Sequence, residues 1–302
     1  MAGFGPTPMQ STRSTRLQMM PALVDLDRYN LPLDEIAEEW TAVLQPTTAL
    51  TEEGVYLGAK SSKTIFVDTV KVEFQRGAGL GLELLEIAGG REDGLGITVV
   101  SGITEGGSAE GSGVQIGDSI VKVAVRRLSQ VTGNDQLTEL EEQAAVETEC
   151  LGYDATVEAI GSLPPKENGD IIVLTLKRLR RKPKVTVNLQ FPPTQGQPDM
   201  TIELFSGENL RRAMLTRGVP LNDPLSKRFD SGGTGSCGGE ATCTTCVVGI
   251  MKGAELVSPA GIQEKQMLVK NPRWRLACKA IVGHGMQEGE MTIRVNPRQW
   301  NN

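Results

Sequence analysis

Cysteine is the residue type in this sequence whose number and spacing best fit a chemical role. Four of the five cysteines lie between residues 237 and 278. Cys237, Cys243 and Cys246 follow the pattern C-x5-C-x2-C, and Cys278 follows 32 residues after the third. Thiolates brought together in this way bind metal ions or iron-sulfur clusters. The only histidine is His284, so most histidine-dependent catalysis and most zinc chemistry are excluded.

Three kinds of site compete for these four cysteines. A disulfide framework suits a small secreted domain, but the chain has five cysteines, an odd number, and no signal-peptide pattern. Structural zinc normally takes two C-x2-C pairs, whereas one close pair is present here. A 2Fe–2S cluster takes three thiolates from one long loop and a fourth from another element. The spacing therefore favours the cluster, and zinc and disulfides remain the alternatives.

The composition of the cysteine-rich loop also suits a negatively charged cluster. Backbone N–H groups stabilise that charge when they point at the sulfur atoms, and they converge only where side chains are small. The loop supplies Gly232, Gly233, Gly235, Gly238, Gly239 and Ala241. Further hydroxyl donors are available from Thr242, Thr244 and Thr245.

The segments around the loop predict a small domain of mixed strands and helices. Strands are predicted at residues 185–191, 200–205, 247–251 and 291–295, and helices at residues 210–215 and 262–269. Ser206 is the predicted N-cap of the first of these helices.

The order of these elements and the cysteine spacing resemble the β-grasp fold of plant and adrenodoxin-type 2Fe–2S ferredoxins. The resemblance covers residues 183–302, and the x5 spacing is like that of adrenodoxin. It implies a 2Fe–2S cofactor. The implied ligands are Cys237 and Cys243 on one iron, and Cys246 and Cys278 on the other.

Residues 237–248, with 274–278 and 281–283, resemble a narrower family, the ferredoxin-like subunit B3 of the chloroplast photosynthetic NADH-dehydrogenase-like complex. This resemblance implies a peripheral location on the stromal side of the thylakoid membrane. It also implies that the partners are protein subunits of a thylakoid membrane complex.

Residues 66–182 predict a β-rich domain of another kind. A strand, a glycine-rich loop, further strands, a turn at Gly117-Asp118 and a helix at residues 153–160 follow in an order that resembles a PDZ domain. The resemblance implies a groove in which loop N–H groups bind a peptide carboxylate and a strand edge accepts the peptide. The implied peptide-binding residues are Gly79, Leu80, Gly81, Leu82, Tyr153 and Val157.

An insertion at residues 128–150 departs from the PDZ pattern. It is acidic, with Glu139, Glu141, Glu142, Glu147 and Glu149. Two states of the groove therefore stay open: it binds a partner's C-terminal tail, or it is filled by this insertion.

Residues 1–65 are predicted to be an extension with one amphipathic helix. The first twenty residues are rich in Ser, Thr and Arg and contain no acid, which is the composition of an organelle transit peptide. Apolar residues recur at spacings of three and four from Leu33 to Leu44, which predicts a helix there.

Charge divides the chain into two parts. Residues 1–182 carry 17 Lys and Arg against 27 Asp and Glu, a net charge of −10, whereas residues 183–302 carry 14 against 10, a net charge of +4. A basic run at residues 177–184 is predicted to be a solvated edge strand and linker, with a contact to an acidic partner or anionic lipid as the alternative.

These observations predict an α+β chain with a PDZ-like β-sandwich or partly open barrel followed by a β-grasp ferredoxin-like domain. No apolar run is long enough for a transmembrane helix, and the net charge of −6 argues against nucleic-acid binding. The predicted function is that of a 2Fe–2S subunit of a thylakoid electron-transfer complex, docked through the PDZ-like domain. The alternatives are a soluble ferredoxin-type carrier and a structural adaptor whose cluster is not redox-active. No nucleophile–base pair is evident, so an accessory or electron-transfer role is expected rather than stand-alone catalysis.

Overall fold

Two strand-rich regions follow each other along the chain in the computed structural model, which describes residues 25–45, 54–130, 138–221 and 223–300. The segment with transit-peptide composition lies outside the described residues. Mixed sheets and a few short helices make up the described chain, so the predicted α+β class is confirmed.

The first region has three sheets among its described residues. Its largest sheet is antiparallel with the order β3-β8-β6-β7, and smaller sheets are formed by β1 with β2 and by β4 with β5. Its elements are α1 (Leu33–Glu39), β1 (Trp40–Gln45), β2 (Gly54–Ala59), β3 (Ile65–Gln75), β4 (Leu82–Ala88), β5 (Ile97–Ile103), β6 (Ser119–Gln130), β7 (Thr138–Glu147), α2 (Tyr153–Gly161) and β8 (Ile171–Arg181).

The N-terminal helix is shorter than the apolar spacing predicts. α1 ends at Glu39, and Trp40 begins β1, which pairs with β2 along its whole length. The prediction of a helix to Leu44 was wrong, because pairing with β2 takes the backbone of these residues and leaves Val43 and Leu44 exposed. The buried side chains of Ile36 and Trp40 pack in a core with the sheets of the first region, so this segment docks on its own chain.

The basic run is not the solvated edge strand that was predicted. Residues 177–181 of the run form the last part of β8, which lies between β3 and β6. They include two buried arginines. Arg178 binds Asp118 at 2.6 Å and Arg180 binds Asp68 at 2.9 Å, and both guanidinium groups reach Asp27. A buried guanidinium group needs such partners, because removal from water is costly without them.

The second region contains one mixed sheet with the strand order β10-β9-β13-β11-β12. β9 and β13 lie side by side in the middle of the sheet and run parallel, while the other neighbours are antiparallel. Its elements are β9 (Lys184–Gln190), β10 (Met200–Phe205), α3 (Leu210–Thr216), β11 (Val247–Lys252), α4 (Ile262–Met267), β12 (Trp274–Leu276) and β13 (Gly289–Val295).

Helix α3 packs Leu210, Ala213 and Met214 into the core against this sheet, as its apolar stripe predicts. Its N-cap, however, is Asn209, whose side chain accepts a hydrogen bond from the backbone N–H of Arg212 at 3.1 Å. Ser206 is not the cap, because its hydroxyl donates instead to the carbonyl of Gln287, shortly before the last strand.

The described helices are short, and none of them has the length and apolarity that crossing a membrane requires.

The buried arginines yield a stability prediction. Arg178→Ala should lower the free energy of unfolding of the first region by about 3 kcal/mol, because Asp118 is left buried without its cation. The measurement is urea unfolding followed by Trp40 fluorescence in a Trp274→Phe/Trp300→Phe background. Arg181→Ala, on the exposed end of the same strand, is the matched control and should change the value by less than about 0.5 kcal/mol. Equal effects of the two substitutions would contradict the assignment.

Candidate metal centre

The four predicted ligand side chains are brought together as two pairs. The Sγ atoms of Cys237 and Cys243 are 3.2 Å apart in the loop that precedes β11. Cys246 lies directly before β11 and Cys278 just after β12, and these two strands pair with each other. Each of these two thiols shifts the pKa of the other. The pairing is therefore first with second and third with fourth.

The first pair is held by backbone donors from its own loop. The N–H of Cys237 donates to the Sγ of Cys243 at 3.3 Å, and the N–H groups of Gly239 and Thr242 donate to the Sγ of Cys237. Burial opposes ionisation of Cys237, but the hydrogen bonds outweigh it and lower its pKa to about 6. The thiolate, which is the form that binds metals, is thus favoured.

The second pair receives backbone donors in the same way. The N–H of Cys278 donates to Cys246, and the N–H of Ala241 donates to Cys278. The hydrogen bond between the two thiols raises the pKa of Cys246 and lowers the pKa of Cys278 to about 7. Cys246 keeps its proton and donates it to the thiolate of Cys278. Ala241 donates from a left-handed φ of 63°, a conformation that costs an L-residue about 1–2 kcal/mol.

A salt bridge that the sequence did not reveal braces the loop from outside. Arg228 binds Asp230 through two hydrogen bonds of 2.9 and 2.6 Å, and the Thr242 hydroxyl donates to the same carboxylate at 3.0 Å. The Arg228 guanidinium group holds the pKa of Asp230 well below its usual range. The N–H of Phe229 also donates to the carbonyl of Thr242 at 2.7 Å. These bonds fix the residue that precedes Cys243.

Two further polar residues position the turn that carries Cys278. Glu264 is buried although it lies on α4, and it accepts hydrogen bonds from the side chain of Arg275 at 2.8 Å and the N–H of Leu276 at 2.6 Å. The side-chain amide of Asn209 donates to the carbonyl of Cys278 at 2.9 Å. Glu264 is the one acid in α4, which is a weak signal that sequence reasoning missed.

Positive charges surround the cysteines. Lys279 lowers the pKa of Cys278, and the charge of Arg228 acts on Cys237 and Cys243. Arg211 reaches within 3.9 Å of the position a Cβ would take at Gly239. Thiolate charge at this site is therefore offset by cations as well as by N–H groups.

The four sulfurs form two pairs and not one convergent group. Within the ranges that the structure describes, no three His, Cys, Asp or Glu side chains converge on one point that could hold an ion. Structural zinc needs four ligands around one centre, whereas these sulfurs form two pairs, which is the division that two irons require. All five cysteines are free thiols, so the described residues give no disulfide framework.

The fifth cysteine lies apart from the other four. Cys150 is in the core of the first region, and burial raises the pKa of its thiol to about 11. A buried thiol of this kind is chemically inert at neutral pH.

In the loop before β4, the backbone geometry requires glycine at position 81 but not at position 79. Gly81 has a φ of +70°, and a Cβ there would lie 2.8 Å from the Cα of Gly107, so only glycine fits. Gly79 has open space around it and no such φ. In the part of the chain that the structure describes, the N–H groups of Gly79, Leu80 and Gly81 have no hydrogen-bond acceptor.

The edge of β4 that follows this loop is open. β4 pairs with β5 and with no other described strand, and α2 contacts both of these strands. Tyr153 and Val157 of α2 are both nearly half exposed, while Leu80 and Leu82 pack against the core. The described part of the acidic insertion forms the end of β6 and all of β7, which pair with each other in the other sheet. Helix α2, which carries Tyr153 and Val157, contacts β4, which begins at Leu82.

Comparison with known proteins gives partial matches. No protein-family model matches the chain. Over 112 residues it is 37% identical to the chloroplastic photosynthetic NDH subunit of subcomplex B 3 of Arabidopsis thaliana, which covers 35% of this chain and 52% of that protein. Over 103 residues it is 34% identical to a subunit of the Na(+)-translocating NADH-quinone reductase of Chlamydia felis, which covers 33% of this chain and 21% of that protein. The chain is homologous to these relatives over those stretches, and it spans about half the length of the first and a fifth of the second.

Two solved ferredoxins were also matched. The ISC-like 2Fe–2S ferredoxin of Pseudomonas putida is 22% identical, with 37% of this chain and 91% of that chain covered and a TM-score of 0.29. The ferredoxin of Trichomonas vaginalis is 17% identical, with 36% and 98% covered and a TM-score of 0.26. Both TM-scores are low, so we draw no conclusion from these two structures.

The lowered pKa of Cys237 predicts its reactivity in protein prepared without metal. Its thiolate is present above a pH of about 6 and is lost as the pH falls through that value. The rate of iodoacetamide labelling at Cys237, measured by peptide mass spectrometry, should therefore be half-maximal near pH 6. Cys150 should stay unlabelled up to pH 9. A midpoint for Cys237 near about 8.5, the value of an ordinary thiol, would contradict the hydrogen-bonding scheme.

Proposed function

We propose that the four paired cysteines hold a 2Fe–2S cluster, with Cys237 and Cys243 on one iron and Cys246 and Cys278 on the other. The observation that carries this proposal is that each of the four sulfurs receives a backbone N–H donor while the sulfurs divide into two pairs. When bound, such a cluster supplies reversible one-electron transfer.

The sheet of the second region supports a β-grasp ferredoxin-like domain at residues 183–302. Numbered within this region, its strands lie in the order second, first, last, third, fourth, and the first and last are parallel. The cysteine loop connects the helix that follows the second strand to the third strand. This connection presents the loop at one end of the sheet, where the turn carrying Cys278 meets it.

The residues of the chain would tune such a site in two ways. The N–H donors from Gly239 and Ala241 stabilise negative charge on sulfur. The cations Arg228 and Lys279 favour the more negative, reduced state. Cys243 and Cys246 are buried, which keeps water from one side of the site.

The role proposed for this domain is that of an iron-sulfur electron-transfer subunit of a photosynthetic membrane complex. The similarity to the chloroplastic subunit of subcomplex B 3 supports this role and a chloroplast location. We propose peripheral attachment on the stromal side of the thylakoid membrane. The net charge of +4 on residues 183–302 argues against a soluble carrier of the acidic type, whose acidic face steers it onto basic reductases.

For residues 66–182 we propose a PDZ-like domain that docks the subunit by holding a partner's C-terminal tail. The unpaired N–H groups of Gly79, Leu80 and Gly81 would receive the terminal carboxylate. The free edge of β4 would accept the peptide as an added strand, and the exposed side chains of Tyr153 and Val157 would contact its side chains.

The cluster assignment predicts that Cys278→Ser removes most of the visible absorbance of the purified protein, because the second iron loses a ligand. Cys150→Ser is the matched control and should leave the absorbance unchanged. Iron and sulfide assays and low-temperature EPR before and after dithionite provide the measurements. Stoichiometric zinc without iron, or equal losses in both variants, would contradict the assignment. A cluster that dithionite does not reduce would favour the structural adaptor over electron transfer.

The groove assignment predicts that a C-terminal peptide selected from a library binds only with a free carboxylate. Amidation should abolish binding, because the loop N–H groups lose their anionic partner. Val157→Asp should weaken binding at least about tenfold by placing a charge where the side chains of the peptide would pack. Val43→Asp, at a comparably exposed valine outside the groove, should have no effect. Binding that survives both amidation and Val157→Asp would favour a groove filled by the chain's own insertion.

A further inference from the structure

A small cavity lies on the face of the second region's sheet that points away from its core. Met291, Ile293 and Val295 of β13 are fully buried, so the side chain of Arg294 between them points to the opposite face. The cavity has a volume of about 190 Å³. The residues that line it include Gly249, Asn271, Arg273, Trp274, Arg294 and Trp300.

Gly249 forms the floor of this cavity. It pairs with Trp274 of β12 on one side and with Arg294 of β13 on the other. A Cβ at Gly249 would lie 3.7 Å from each of these two side chains and 3.5 Å from that of Pro297, which is ordinary contact distance. The backbone would therefore tolerate a side chain at this position, and the lack of one leaves the space between Trp274 and Arg294 open.

The guanidinium group of Arg294 is held at one side of the cavity. It lies 4.3 Å from the centre of the Trp300 ring, and its Nε donates to the side-chain carbonyl of Gln190 at 3.3 Å. The Trp300 ring is fixed in turn, because its Nε1 donates to the carbonyl of Val295 at 3.0 Å. Neither contact supplies a negative charge, so the Arg294 cation is positioned without being neutralised.

A second cation, Arg273, lines the same cavity and is exposed. Its backbone is fixed beside β11, because its carbonyl accepts a hydrogen bond from the N–H of Ile250 at 2.8 Å. Within the described ranges, neither Arg273 nor Arg294 forms a salt bridge. The side chain of Asn271, which can donate two further hydrogen bonds, lines the cavity beside them.

The acids of this part of the sheet are paired with other groups. Glu290, on the same face of β13 as Arg294, lies 3.9 Å from Lys252. Asp223 binds Arg298 at 2.5 Å, and this arginine lies over the Trp274 ring. No carboxylate is among the described residues that line the cavity. The cavity therefore presents two cations that an acid of the chain does not offset.

We propose that this cavity binds the phosphate group of a small, soluble phosphate monoester. A phosphate monoester carries a charge of about −1.5 to −2 at neutral pH, which two guanidinium groups match better than they match a single carboxylate. The planar guanidinium group binds phosphate oxygens through paired N–H donors, and the Asn271 amide supplies a neutral donor. The assignment rests on these residues and does not depend on the proposed cluster.

The volume of the cavity limits the size of the ligand. It equals the space of about six water molecules, at about 30 Å³ each. Pockets for larger organic ligands begin at about 300 Å³. A phosphate group with a short carbon chain fits this space, whereas a nucleotide does not.

The test measures binding of glycerol 3-phosphate to the full chain by calorimetry at low salt. Binding should be saturable, and succinate, which carries two carboxylates, should bind at least about tenfold more weakly. Arg273→Gln and Arg294→Gln should each weaken binding of glycerol 3-phosphate at least about tenfold, because each removes one of the two cations. Gly249→Val should abolish binding, because its side chain fills the cavity and valine is favoured in strands.

Two matched variants separate the cavity from general effects of charge and side-chain size. Arg212→Gln removes an exposed cation from α3, which packs on the other side of the sheet. Thr186→Val changes a side chain of β9 that does not line the cavity. Neither should change binding. Urea unfolding and visible absorbance of each variant report the fold and the cluster, so loss of either is distinguished from loss of the ligand.

Four results would overturn the proposal. The first is absence of saturable binding by the wild-type chain, and the second is binding that Gly249→Val leaves unchanged. The third is equal weakening by Arg212→Gln and Arg294→Gln. The fourth is co-sedimentation with vesicles that contain phosphatidic acid, lost in Arg294→Gln, which would assign the cavity to a lipid headgroup.

Discussion

Negative charge on sulfur must be matched by donors, and the second region of the chain is arranged around this requirement. The four sulfurs receive N–H groups from residues of the cysteine loop or from across the gap between this loop and the turn after β12. A backbone can aim successive N–H groups inward only by entering the left-handed region, as Gly238, Gly239 and Ala241 do. Such a loop lacks the regular backbone hydrogen bonds of a sheet. It is held in place by the Arg228–Asp230 pair and the buried Glu264.

The two regions treat their charges differently. In the first region the buried cations Arg178 and Arg180 are matched by carboxylates from three separate segments, and the net charge of the region is carried by exposed acids. In the second region Asp230 and Glu264 are paired within the protein, while Glu240, between Cys237 and Cys243, is exposed. The buried charges of the first region are thus paired with each other, whereas the second region has exposed charges beside its cysteines.

The features that could be predicted from the sequence are those whose determinants are close together in the chain. Three of the four paired thiols lie within one loop, and their spacing predicted that they come together, as the two pairs show. The role of Arg178 was not predictable, because its partner Asp118 is 60 residues away, and Arg180 lies 112 and 153 residues from its two acids. The end of α1 was missed for a related reason: the apolar spacing continues past Trp40, and pairing with a strand beyond residue 53 decides the conformation. Ser206 and Asn209 show the same limit at shorter range, since both are good caps and tertiary contacts chose between them.

The parallel pairing of β9 with β13 sets the order in which the protein can be completed during synthesis. Val185 pairs with Gly289, so the two middle strands of the sheet are made first and last within their region. All four paired cysteines leave the ribosome before β13 does, and the sheet that orients their loop cannot close until β13 has emerged. The first region closes earlier, when β8 joins β3 and β6. A nascent chain that lacks β13 would therefore carry a folded first region followed by exposed thiolates. Addition of β13 to the sheet is the step that buries these thiolates.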